Sequence, residues 1–74
     1  MIVADKMVGE VRVALDANWS RNDWTIICCV GEAIVLHQRY GSSSAAAITA
    51  WVNCSDLVER ARARHRLLSG DEGN

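Results

Sequence analysis

The stretch Trp24 to Tyr40 constrains the fold more than any other part of the chain. It reads Trp-Thr-Ile-Ile-Cys-Cys-Val, then Gly31-Glu32, then Ala-Ile-Val-Leu-His-Gln-Arg-Tyr. Two apolar, β-branched runs flank two residues, the first of which is glycine. A two-residue connection must match the twist of the strands it joins. A type II′ turn does this with positive φ at its first central position, which glycine adopts without steric cost. A hairpin is therefore expected, and its turn sets a register: Val30 opposite Ala33, Cys28 opposite Val35, Ile26 opposite His37 and Trp24 opposite Arg39. Thr25, Ile27, Cys29, Ile34, Leu36, Gln38 and Tyr40 fall on the other face. Both faces are largely apolar near the turn, and a slip of one residue would exchange them.

Upstream, Val8 to Ala17 alternates. Val11, Val13 and Leu15 point one way; Glu10, Arg12, Ala14 and Asp16 point the other, as in a strand with one buried and one wet face. Met1 to Met7 reads either as an extra edge strand or as a fraying end. Asp16 to Asp23, rich in Asn, Asp and Ser, reads as a connection, with Trp19 the largest apolar group outside any regular element.

Downstream, Gly41-Ser42-Ser43-Ser44 ends the sheet and offers a helix N-cap. Ala45 to Leu68 is helical by composition. A stripe of Ala47, Ala50, Trp51, Cys54, Leu57, Val58, Ala61 and Leu68 recurs at about 100° per residue. Asn53-Cys54-Ser55-Asp56 resembles a second helix start, with Ser55 or Asp56 as cap and Glu59 in the first turn. The order β-β-β-α predicts an α+β domain: a three-stranded antiparallel meander followed by a C-terminal amphipathic helix, kinked or broken near residues 53–55. Residues 1–74 are expected to form one small domain, with Gly70 as a C-cap and 69–74 as a flexible polar tail.

Composition excludes several classes. Half of the 74 residues are hydrophobic, against disorder, and the net charge of −1 calls for no polyanionic partner. Three cysteines make neither an even disulfide framework nor a CxxC motif. Charge interrupts Met1-Ile-Val-Ala-Asp-Lys at once, unlike a signal peptide, and no apolar run reaches the roughly 18 residues of a membrane span. A cytoplasmic setting is expected, with no membrane and no cofactor.

No catalytic constellation emerges. Cys28 and Cys29, adjacent in a strand, point to opposite faces. Cys28 and His37 would be diagonal neighbours in the expected register, an arrangement shared by activated thiols and half-built metal sites, but no further ligand lies nearby in the sequence. Buried cysteine ordinarily behaves as a small hydrophobe. His65 falls on the apolar stripe as a partly buried structural side chain. Arg60, Arg62, Arg64 and Arg66 suggest phosphate contact, yet they flank the stripe on both sides, and Asp56 and Glu59 stand at ion-pairing distance along the helix. Trp24 and Arg39 are placed for a cross-strand cation–π contact.

A meander followed by Tyr40-Gly41-Ser42-Ser43-Ser44-Ala45-Ala46-Ala47 and a helix resembles the last three strands and closing helix of double-stranded RNA-binding domains, over about half of the chain. The resemblance implies an α+β fold. The chain lacks that family's first helix and the lysine pair at the start of its closing helix, so no functional residue is carried across.

One helical layer covers one sheet face, whereas this hairpin has two apolar faces. Side chains left wet forgo roughly 1.5–3 kcal/mol each, a large share of the roughly 5–15 kcal/mol a domain has in hand. Either the chain closes the second face itself or a partner does. The expected function is a small non-catalytic interaction module. It would pair with a second copy, or dock on a larger protein as an adaptor or inhibitor of the kind phages and mobile elements carry. Trp19, Ile26, Cys28, Val30, Val35 and His37 are its interface candidates. The alternative is a nucleic-acid-binding accessory protein using Arg60, Arg62, Arg64 and Arg66.

Overall fold

The computed structural model describes residues 1–70. Four strands, β1 (Ile2–Val8), β2 (Val11–Asn18), β3 (Asp23–Val30) and β4 (Ala33–Gly41), precede two helices, α1 (Ser44–Val52) and α2 (Ser55–Ser69). The strands form one antiparallel sheet in the order β1-β2-β3-β4. The α+β class and the helical C-terminal half match expectation, but the meander has four strands, not three. Val8 to Ala17 is not one strand: Gly9-Glu10 turns the chain, with Val8 paired to Val11. This dipeptide repeats Gly31-Glu32, and both glycines have φ near +61° while the glutamates do not share it. One turn chemistry builds both hairpins. With a strand at the N-terminus, the order departs from that of double-stranded RNA-binding domains.

The β3–β4 register follows expectation at the turn and then breaks. Val30 pairs with Ala33 and Cys29 with Ile34, but Cys28 pairs with Leu36. Val35 is the extra residue of a β-bulge, which turns it and Leu36 both toward the helices. Val35 is 3% exposed. From there each β4 residue lies on the face opposite to the one expected: Ile26 meets Gln38, Ile27 meets His37 and Thr25 meets Arg39. The diagonal pairing of Cys28 with His37 and the stacking of Arg39 on Trp24 are therefore corrected. His37 and Arg39 point to the helix-free face, where Arg39 Nη2 lies 3.0 Å from Asp23 Oδ2. A second shift leaves Tyr40 extra and Trp24 opposite Gly41.

The helices cover one face only. Val11, Val13, Leu15 and Ala17 of β2, Trp24, Ile26 and Cys28 of β3, and Val35 of β4 pack with Ala47, Cys54, Leu57, Val58 and Ala61. The helical stripe is confirmed apart from Leu68, which is exposed. The break falls at Asn53-Cys54. Ser43 caps α1, its Oγ accepting from the Ala46 N–H at 3.2 Å. The N-cap of α2 is Cys54, with no side-chain cap bond, rather than Ser55 or Asp56. Gly70 closes α2 in the left-handed conformation, and its N–H donates to the Arg66 carbonyl. Of the expected tail, Ser69 belongs to α2, and residues 71–74 lie outside the described residues.

Two long side chains tie the helices to the first hairpin. Lys6 Nζ sits 4.2 Å from the centroid of the Trp51 ring and 3.5 Å from the Val52 carbonyl, where the C-terminus of α1 favours a cation. The Trp51 indole N–H donates to the Val13 carbonyl at 2.9 Å. Arg62 reaches Glu10 at 3.3 Å, Glu59 at 3.2 Å and the Val8 carbonyl at 3.5 Å. A Cβ on Gly9 would lie 2.8 Å from Arg62 Nη2, the movable tip of its side chain, so it is the positive φ of the turn that requires glycine here.

Trp51→Phe keeps an aromatic ring but removes the N–H donor together with part of the indole that Lys6 covers. Its expected cost is about 1–2 kcal/mol of unfolding free energy, read as a lower denaturant midpoint at unchanged slope. An unchanged midpoint would mean the indole bond contributes nothing net.

Candidate functional site

The face of the sheet away from the helices has no covering layer among the described residues. Pairing sets its side chains in three ranks across the strands. Nearest the Gly-Glu turns lie Met7, Arg12, Cys29 and Ile34. Next come Asp5, Ala14, Ile27 and His37. Beyond these, Asp16, Thr25 and Arg39 stand side by side. Met7 and Ile34, at the two edges of the first rank, are each 62% exposed. Ile27 and Cys29 are half-buried, whereas Ala14 is 2% exposed, shaded by its neighbours. The face is thus apolar along its centre and one end, with charge set in at defined points.

Those charges are mutually arranged. Arg12 Nε donates to Asp5 Oδ2 at 3.2 Å across the β1–β2 pair. The Asp5 carboxylate holds the Arg12 pKa above its ordinary value, first through the hydrogen bond and then through charge. His37 and Arg39 line the β4 side. The face therefore carries a carboxylate on its β1 edge and nitrogen donors on its β4 edge.

A second apolar concentration adjoins it. Ile34, Val35, Leu36, His37, Arg64 and Leu68 line a cleft of about 320 Å³ between β4 and the end of α2. Leu36, Arg60, Ala63, Arg64 and Leu67 line a neighbouring one of about 290 Å³. Leu67 and Leu68 are both largely exposed. Ile34 and His37 belong both to the first cleft and to the open face, so the two surfaces are continuous around the β4 edge.

The interface candidates separate into two groups. Ile26, Cys28 and Val35 are core residues, buried beneath helices of the same chain, and Val30 packs half-buried at the core margin. The expectation that they face a partner fails for a geometric reason: α1 and α2 cover their face of the sheet, not the other. Trp19 and His37 are exposed. Trp19 and Trp24 make a T-shaped pair, ring centroids 5.4 Å apart and planes at 85°, and Trp19 stays largely exposed. Sequence reasoning passed over Met7, and it placed Ile27, Cys29 and Ile34 correctly together on one face without selecting that face.

The arginines also separate. Arg62 is committed to Glu10 and Glu59, and Arg60 Nε lies 3.3 Å from Asp56 Oδ2. Arg64 lines both clefts, and Arg66 is exposed. They form no single basic face. Among the described residues, no three His, Cys, Asp or Glu side chains are grouped to hold a metal ion, and no helix is long and apolar enough to cross a membrane. The chain matches no protein-family model, no curated protein and no solved structure.

The cysteines differ in their surroundings. Burial pushes the Cys28 thiol up to about 11 from an ordinary 9.0, with Cys54 and Cys29 adding to the rise. Burial also raises the Tyr40 phenol. Both groups bind their protons more tightly folded than unfolded. Their contribution is present below the unfolded pKa and is lost as pH climbs through the folded one. Stability is therefore expected to fall between about pH 9 and 11, with a shallower fall in Cys28→Val. A thiol reagent at neutral pH should modify Cys29 first and reach Cys28 and Cys54 only on unfolding. Equal labelling rates for all three in the folded protein would contradict the burial.

Proposed function

We propose that this chain is a small non-catalytic interaction module that associates through the helix-free face of its sheet. One observation carries the proposal: both helices lie on the same side of a four-stranded sheet, and the opposite side keeps Met7, Ile27, Cys29 and Ile34 wholly or partly in contact with solvent. A contiguous surface of this kind, with charge set into it and along its edges, has the composition of an association site. The partner is a second copy or a larger protein that the module serves as adaptor or inhibitor.

The nucleic-acid reading draws less support. Arg60 and Arg62 already neutralise carboxylates of the same chain, and phosphate contact would have to displace Asp56, Glu59 or Glu10.

Ile27→Asp combined with Ile34→Asp places two charges on the face and none in the core. The double variant is expected to keep its circular dichroism spectrum and to lose association measured by light scattering at about 100 μM, since desolvating an unpaired charge opposes burial of the face. Identical masses for wild type and variant at every concentration, with identical partner binding, would count against the proposal. Binding to mixed-sequence DNA or RNA that weakens steeply with added salt would favour the alternative.

A further inference from the structure

We infer that the occupant of the helix-free face is a second copy of this chain, turned about a two-fold axis that runs parallel to the strands between β2 and β3. The inference rests on the reading of that face as an association surface and adds the partner and its orientation. Such an axis keeps each rank at its own height and lays β1 of one copy over β4 of the other. In the middle rank, Asp5 then faces His37 of the second copy, and Ala14 faces Ile27. A carboxylate meets an imidazole N–H at both edges, and the smallest side chain meets the largest beside the axis. In the rank nearest the turns, Met7 faces Ile34, the two most exposed apolar side chains of the face.

An axis running across the strands gives a poorer match. It would lay Asp5 on Asp5, Ala14 on Ala14 and Ile27 on Ile27, which sets like charges at one edge, leaves a gap over the alanines and collides the isoleucines. The axis across the strands would also set Arg12 on Asp16, but only the axis along the strands opposes Asp5 to a nitrogen donor and Ala14 to a larger side chain. Face-to-face sheets pack with their strands within about 30° of alignment, so the correspondence holds best near the axis, where the middle rank lies.

The size of the face agrees with a modest dimer. With about 4.8 Å between strands and about 3.3 Å per residue, the face spans roughly 400–450 Å² in plan. With side-chain relief, two such faces bury on the order of 1,000 Å², the lower end for specific association. Assembly is therefore expected at micromolar concentrations and above.

A charge exchange tests the orientation. Asp5→Lys sets an ammonium group against His37 of the second copy, and His37→Asp sets two carboxylates together. Each single variant is expected to dimerise roughly tenfold or more weakly than wild type. Mixed in equal amounts, the two should recover a heterodimer near wild-type strength, identified by native mass spectrometry, because one edge then sets the introduced ammonium against the introduced carboxylate and the other keeps the wild-type Asp5 and His37 pair. Thermal melts report whether each variant folds. If Asp5→Lys fails through loss of the Arg12 contact, His37→Asp at its exposed edge position still gives the single-variant comparison. If Ile27→Asp/Ile34→Asp abolishes dimerisation but the charge variants dimerise as wild type does, without preferring each other, the orientation is overturned and the surface stands. A wild type that stays monomeric to about 100 μM overturns the second copy and leaves the face to a different protein. Dimers that persist in Ile27→Asp/Ile34→Asp overturn both the orientation and the surface.

Discussion

The conformation of one residue, Val35, decides which half of β4 belongs to the core. In a regular strand, Val35 and Leu36 would point to opposite faces. The bulge turns both toward the helices, so β4 places two consecutive apolar side chains under α2, and every residue from His37 to Arg39 lies on the face opposite to a regular continuation. The helix layer gains Leu36, which lines a cleft together with Arg60, Ala63, Arg64 and Leu67. The open face receives His37 and Arg39 in its place. A bulge near the end of an edge strand also disrupts the row of free backbone donors and acceptors, which discourages indiscriminate edge pairing.

With the register settled, the two layers divide the labour unequally. The helices are short, nine and fifteen residues, and neither could hold a fold alone. They are held by the stripe from Ala47 to Ala61 pressed on β2 and β3, and by two cationic side chains that bridge to the first hairpin. Lys6 lies on the Trp51 ring and reaches the end of α1. Arg62 joins α2 to the Gly9-Glu10 turn. These contacts span 46 and 52 residues of sequence, so they belong to the assembled fold and not to any local segment. Arg62 in this position has a structural task, tying α2 to the first hairpin.

The same division leaves the sheet's other side uncovered among the described residues. Its apolar side chains are fewer than on the helix side, and its charges stand on β2 (Arg12, Asp16) as well as on the β1 and β4 edges (Asp5, Arg39). On the proposed reading of this face as an association surface, its apolar side chains would supply the driving force and its charges would select orientation.

Much of this was legible in the residues. The Gly31-Glu32 hairpin, the helical stripe, the serine cap, the break near Asn53 and the glycine stop all follow from local chemistry, because turn geometry, capping and helical period act over a few neighbouring residues. Even the fourth strand had a local signature: Gly9-Glu10 is the same dipeptide as Gly31-Glu32, masked by the regular alternation of Val11, Val13 and Leu15 that follows it. What the sequence alone did not determine is which apolar face of the hairpin lies under the helices. Ile26 and Cys28 on one side, and Ile27 and Cys29 on the other, have nearly the same chemistry. The choice depends on where β2, the bulge at Val35 and the helices meet in space. Only the assembled fold makes it, since burial is a property of what lies on top of a side chain and not of the side chain itself.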